Sequence, residues 1–455
     1  MLEKVFGKSF NYSITRAVFL VIVCLMVSLL IDTSIIKLYD LLTKNIVSIE
    51  TREIFFSLNA SISLLLQFIL LRYIRSLIRK DQLGNTINFR SYNKFVQLSY
   101  YWLIFLMSFL IFQLFYFDYY SSYIMMLIIL TTYGVASILI GKTSMLFISW
   151  YRLSHNFVIL MYFISMSLII LNLVLTNLLV NINLIDRPEK LREFAGGSMD
   201  LSAGKYGFLA LLHKISSILS FVSIWLTTAL LMHSSKNRLI KEIRYWVVPI
   251  MLLIYFLISH FSQNIFNPIL VPILKSDPIL LSLSLIMIFT LTKPIGGIMF
   301  GIAFWNISRT VSYEKTLRDY MIISGYGFLL LFSANQSTSL VLGPYPPFGT
   351  STITILIIGT YLIMIGIYKS ATLVAKNTDL RKSIHEIAKE SRLLDLIGKA
   401  EMENEINITV NKIMQQTNAS EQSEKTAFEL DEQELKNYVG KVVDELEKNK
   451  IKKVK

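Results

Sequence analysis

A single cysteine, Cys24, is all the thiol chemistry in the 455-residue chain, so neither an intrachain disulfide nor a cysteine-based metal cluster can form. Charge is scarce as well. Asp, Glu, Lys and Arg make up 16% of residues, against roughly a quarter in soluble domains, which argues against a water-soluble fold. Catalytic signatures are missing too: there is no HExxH zinc site, no serine-nucleophile elbow and no paired acidic motif of the kind that binds Mg-diphosphate. Gly141-Lys142-Thr143-Ser144 has the ending of a phosphate-binding loop, but Ala136 stands where that loop requires glycine. An enzyme is therefore the least supported class, and no cofactor or metal is expected.

What the chain has in abundance is apolar residues, 54% of the total with a mean hydropathy of +0.55. They gather into blocks near the roughly 20 residues that carry a helix across a ~30 Å hydrocarbon core. The short alternating segments of a membrane β-barrel are not seen. The expected fold is all-α, a polytopic transmembrane bundle with the lipid bilayer as its partner. Ten spans are predicted, at 17–31, 54–71, 96–117, 123–140, 157–180, 208–232, 246–258, 279–307, 320–334 and 350–368. Lys4, Lys8 and Arg16 precede the first of them in the manner of a signal sequence, but no small-x-small cleavage site follows. An uncleaved first span is expected.

Charge supports this topology. With the N-terminus inside, the inner segments hold 18 basic and five acidic residues, and the outer loops eight basic and ten acidic. The clusters Arg72, Arg75, Arg79, Lys80, Arg90 and Lys94, and Lys236, Arg238, Lys241 and Arg244, both fall inside. They read as topology determinants rather than as a nucleic-acid surface, so no nucleic-acid partner is expected. Both termini are placed in the cytoplasm, and the cell membrane is the expected location.

Composition shifts after residue 368. The tail carries 16 basic and 16 acidic residues, leaving the whole +13 on the ten-span domain, 1–368. Leu380, Ile384, Ile387, Leu394 and Ile397 recur at helical spacing, predicting a cytoplasmic amphipathic helix over 369–416 whose apolar face pairs with a second copy or a cytoplasmic protein. Asp395 and Lys399 form an i,i+4 pair. A polar linker with a hinge is expected at 417–430, then a short helix with a basic end over 431–455.

Intramembrane charge marks sites, because it is costly unless paired. His213 and Lys214 open the sixth span, and Lys293 lies within the eighth, followed by Pro294, Gly296 and Gly297. These residues predict a span kinked or broken near its middle, with freed carbonyls that could line a substrate site. The alternative is a proline kink in which Gly297 and Gly301, spaced as GxxxG, pack a neighbouring helix while Lys293 snorkels. No Asp or Glu is expected inside a span. On the outer side, Pro344, Tyr345, Pro346, Pro347 and Phe348 form a stiff loop, either a plug or platform or a plain tight connection. Asn335-Gln336-Ser337 beside it matches an N-glycan acceptor.

Ser324 to Gln336, Pro344 to Gly349, Leu380 to Ile384 and Leu393 to Gly398 resemble multi-pass membrane proteins of thaumarchaeal type. That resemblance implies the membrane fold and carries no function. A bundle whose last span runs on into a helical tail is also similar to the sensory half of membrane receptors, although 87 tail residues leave no room for a catalytic ATP domain. A sensor-like or scaffold protein is the first functional expectation, a secondary transporter the alternative, and a membrane-embedded enzyme the third.

Overall fold

Long unbroken runs of Leu, Ile, Phe and Val give the backbone no reason to leave a helix, since in lipid every N–H and C=O must be satisfied within its own segment. The computed structural model describes residues 14–42, 49–80, 87–185, 190–191, 207–234, 247, 249–258, 291–311, 314–335, 346–377, 380–381, 384 and 388–420. The helices are α1 (Ile14–Leu42), α2 (Ile49–Lys80), α3 (Ile87–Phe117), α4 (Ser122–Ser154), α5 (Phe157–Ile185) and α6 (Gly207–Ser234). They continue as α7 (Pro249–Ile258), α8 (Thr292–Thr310), α9 (Lys315–Ala334), α10 (Thr350–Lys376) and α11 (Ala388–Ser420). The only departure from the all-α expectation among the described residues is one antiparallel pair of two-residue strands, Tyr120–Ser121 against Lys190–Leu191.

Among the described residues six helices, α2 to α6 and α10, are long and apolar enough to cross a membrane, judged by length and composition. The chain is an all-α, multi-pass membrane protein. Of the ten expected spans, the seventh is described only over its α7 part and the eighth only from residue 291; residues 259–290 lie outside the described part.

The helix at the centre is α10. Every residue from Thr350 to Ala375 is buried except the half-buried Tyr368, and α10 packs on α9, α4, α11, α1, α2 and α3. At about 1.5 Å per residue its 27 residues extend roughly 40 Å, a full crossing. Small residues make this enclosure possible. Gly327 of α9 lies against Gly359 and Ile363 of α10 so closely that a Cβ there would sit 2.7 Å from the Ile363 nitrogen. On the other side of α9, Gly301 of α8 faces Gly325, where an added Cβ would meet the Gly325 oxygen at 2.8 Å. Gly297 likewise abuts the Leu329 oxygen, so Gly297 and Gly301 are contact points of helix packing. The periphery differs. Trp102, Phe105, Phe109, Phe112 and Tyr116 of α3 form an exposed stack of rings facing outward, as a lipid-facing surface should.

The described part of the tail is helical beyond the expected end at 416. α11 stays helical to Ser420, through Gln415 and Gln416 and four residues into the stretch expected as a linker from 417, since glutamine and methionine are good helix formers. Residues 421–455, with the expected short C-terminal helix, lie outside the described part.

Candidate functional site

Two buried polar clusters lie at the end of the bundle where α9 stops and α10 starts, and the tail is docked at the other end. The first cluster gathers most of the intramembrane residues singled out in the sequence. α8 begins at Thr292 after a bend at Leu291, which puts Pro294 in the first turn, where the missing N–H costs nothing. Pro294 causes no kink within α8 itself, and residues 279–290 of the expected span lie outside the described residues. Lys293, half-buried, is not at the middle of this helix but at its start, donating a hydrogen bond to the Asn335 carbonyl at the end of α9. The Asn335 amide donates to Asn172 Oδ1 (3.0 Å), and the Asn172 amide donates to Ser216 Oγ (3.1 Å). His213 Nε2 lies 3.1 Å from Thr176 Oγ1, whose hydroxyl donates to the Asn172 carbonyl.

Four helices thus share one network: α5 supplies Asn172 and Thr176 from its middle, α6 His213 and Ser216, α8 Lys293 from its start, and α9 the Asn335 that follows its last turn. Lys214 points away and is exposed. Asn335, the glycan candidate, turns its amide nitrogen toward Asn172, and the Gln336 and Ser337 of the acceptor match lie outside the described residues. Below the network, Ser165 of α5 lies 2.7 Å from Ser223 and 3.0 Å from Thr227 of α6, extending a polar seam along the α5–α6 contact. Gly296 faces the Phe221 ring, at a distance that admits no side chain. Lys293→Met keeps the stem but leaves the Asn335 carbonyl without its cation. Such a change is expected to lower stability in detergent by about 1 kcal/mol, and thermal unfolding of the purified variant measures it.

The second cluster corrects an expectation. With the first expected span ending at residue 31, Asp32 falls just outside it, but α1 continues through it to Leu42, and the carboxyl is fully buried. Asp32 Oδ2 accepts from Ser351 Oγ (2.6 Å), Thr352 Oγ1 (2.7 Å) and Thr352 N–H (3.1 Å). These are the first-turn donors of α10, so a carboxylate from α1 caps the positive end of the central helix. Gly349 precedes it with φ 95°, a left-handed conformation suited to glycine. Beside it, Gln67 of α2 donates to Ser63 Oγ (3.1 Å) and Thr354 Oγ1 (2.9 Å).

Pro346, Pro347 and Phe348 are buried over this cluster, with the Phe348 ring edge-on to Phe56 at 5.6 Å. This part of the proline loop therefore turns inward; Pro344 and Tyr345 lie outside the described residues. The segment from Gly141 to Ser144 is mid-helix, with Thr143 bonded to the Leu139 carbonyl and Ser144 to Ser167, and offers no phosphate loop. Among the described residues no group of three or more His, Cys, Asp or Glu is placed to hold a metal.

Comparison with protein-family models, curated proteins and solved structures finds no match. Function must be argued from the geometry of this chain.

At the opposite end, the tail folds back. Leu380, Ile384, Leu394 and Ile397 are buried, and α11 packs on α10 and α4; Ile387 lies outside the described residues. Their face is thus occupied by the chain's own bundle. Gly398 permits the contact, since a Cβ there would strike the Val374 side chain at 2.2 Å. Trp150 of α4 donates from Nε1 to Glu401 Oε2 (2.7 Å), and Lys376 lies 3.6 Å from Glu405. The expected Asp395–Lys399 pair is present at 3.3 Å.

Burial pushes the Glu401 carboxyl above its ordinary 4.5, and the Glu405 charge adds to this; the Trp150 and Asn404 hydrogen bonds and the Lys376 charge act the other way. The docked tail therefore binds this proton more tightly than a free tail. Docking is expected to be strongest at and below the ordinary glutamate value and to weaken as pH rises through the raised one. Protease sensitivity of the α10–α11 connection, followed against pH, checks this. In Trp150→Phe the ring burial is kept and the donor lost, so cleavage should quicken about tenfold, equivalent to ~1.4 kcal/mol.

Proposed function

We propose that this is a sensor-like membrane protein in which α10 relays the state of its buried first turn to the docked cytoplasmic tail. The observation that carries this reading is the course of α10. It is enclosed along its length, is capped by Asp32 of α1 at one end, and carries α11 through Val374 and Lys376 at the other. Close-packed helices move as units rather than deforming, so a shift at the Asp32 cap would be felt at the tail. Ten spans with both termini in the cytoplasm belong to the same proposal. Supporting it are the charge asymmetry of the loops, the 29 residues of α1, and the 19 and 20 residues of α8 and α9 packed beside the spanning helices. A tail released from the bundle would expose Leu380, Ile384, Leu394 and Ile397 to a second copy or a cytoplasmic protein.

The test places a reporter under the tail. In a Cys24→Ser background, Leu394→Cys should react slowly with a membrane-impermeant maleimide, because residue 394 is buried. Weakening the cap by Thr352→Ala should speed labelling about tenfold. Unchanged labelling in a variant that remains folded would sink the relay.

A secondary transporter is the second reading, favoured by one observation: Asp32 supplies the buried acid that the apolar blocks did not show. Ion-driven uptake into proteoliposomes would support it.

A further inference from the structure

We propose that the facing sides of α2 and α3 hold the headgroup of an anionic phospholipid, its phosphate between Arg72, Arg75 and Lys94, where α2 ends and α3 begins. Arg72 and Arg75 stand three residues apart on one side of α2, and Lys94 and Gln97 three apart on one side of α3. A direct contact shows that these sides meet. The Arg75 guanidinium donates to Gln97 Oε1, and the Gln97 amide donates to the Tyr101 hydroxyl (2.8 Å). Two further contacts bring in α4 and α10 beside the same turns of α3: Lys142 Nζ lies 5.8 Å over the Tyr92 ring, and the Tyr361 hydroxyl donates to Asn93 Oδ1 (2.6 Å). Arg72 and Lys94 are exposed, Arg75 and Lys142 half-buried.

Among the described residues no acid pairs with any of these four cations. The acid that acts on this part of α2, Asp319, interacts with Tyr73, about 200° around the helix from Arg75, and pairs with Arg318 at 3.5 Å. The positive-inside preference accounts for basic residues at this end of the helices, but not for a cation that crosses from α2 to α3. Like charges held close repel, and an anion among them relieves the repulsion. Arg75 spends one N–H on Gln97 and keeps four, and its fork and that of Arg72 match the oxygens of a phosphate. A free phosphate would use the same donors; the apolar surroundings select a lipid. Leu65 and Ile69 lie on the side of α2 that carries Arg72, and Leu98 and Tyr101 on the side of α3 that carries Lys94, all four exposed. Acyl chains lie along them while the phosphate meets the cations.

The inference goes beyond the relay and does not depend on it. Native mass spectrometry of the full-length protein, titrated in detergent with phosphatidylglycerol or phosphatidylcholine, tests it. Both lipids carry a phosphate, but the choline ammonium is repelled by the cluster. The expected result is one phosphatidylglycerol per chain, held at least tenfold more tightly than phosphatidylcholine and weakened about thirtyfold in Arg72→Gln with Lys94→Gln. Arg152→Gln with Arg309→Gln removes the same charge from exposed positions at the ends of α4 and α8 and should leave binding unchanged. All four substituted side chains are exposed, and the comparison of the two lipids on the unaltered chain needs no variant. Equal binding of the two lipids overturns the proposal, as does equal weakening in the two double variants, which would mean a diffuse charge effect. Displacement of the lipid by equimolar inorganic phosphate overturns it too, since the site would then take the anion without the chains. Failure of any of these with an intact maleimide response at residue 394 overturns this inference alone, and the reverse pattern overturns the relay alone.

Discussion

Gly327→Val is expected to destroy the native bundle, with a loss of about 3 kcal/mol or more and no monodisperse peak in detergent. A Cβ at residue 327 would stand 2.7 Å from the Ile363 nitrogen and 2.8 Å from the Gly359 oxygen. Both are backbone atoms of a helix held on all sides, so the clash cannot be relieved by a rotamer change. α9 and α10 would have to separate, and α10 has nowhere to go because α4, α2 and α11 pack its other faces. Gly134 of α4 is the control, with nothing within 4 Å of an added Cβ. Gly134→Ala should be neutral or stabilising by up to about 1 kcal/mol, the usual helix preference for alanine. Size-exclusion profiles and thermal unfolding of the two variants make the comparison. Equal behaviour would mean that α9 and α10 do not approach as described.

Asp32→Ala is expected to cost about 2–4 kcal/mol, because three buried donors lose a charged acceptor together. Two are hydroxyls, of Ser351 and Thr352, and the third is the Thr352 N–H at the open end of α10. Asp32→Asn retains one carbonyl oxygen at the same place and should cost about half as much. Single removal of a donor hydroxyl, as in Ser351→Ala, should cost about 1 kcal/mol. The ordering Ala, then Asn, then the donor variant is read from unfolding midpoints in one detergent. If Asp32→Ala proved no worse than Ser351→Ala, the capping role would be wrong.

Local pattern made several elements legible in the sequence. The end of α3 at Phe117, the start of α5 at Phe157, the end of α9 at Ala334 and the start of α10 at Thr350 follow from where apolar runs begin and stop. The stripe of Leu380, Ile384, Leu394 and Ile397 announced a helix that buries one face, but periodicity cannot say against what, and the answer is α10 and α4. Long-range pairing was beyond reach for the same reason. Nothing near Asn172 or Thr176 points to His213 or Asn335, because the apolar residues around them report only membrane burial.

Asp32 was missed because a hydropathy reading ends a span at the first charge. The signal that would have found it lies on both sides: Leu29, Leu30 and Ile31 precede it and Ile35 and Ile36 follow, so the apolar run continues past the aspartate. For Lys293 the apolar surroundings gave no sign that the described part of its helix starts one residue earlier, at Thr292.

The relay through α10 is tested most directly by a distance measured across the tail contact. Met145 of α4 and Ile408 of α11 are exposed and can carry spin labels in a Cys24→Ser background. Double electron–electron resonance should give one narrow distance for the otherwise unaltered chain, and a broad, longer population should grow in when Asp32→Asn is added. Superimposable distributions in the two proteins, with Asp32→Asn still folded, would contradict the relay.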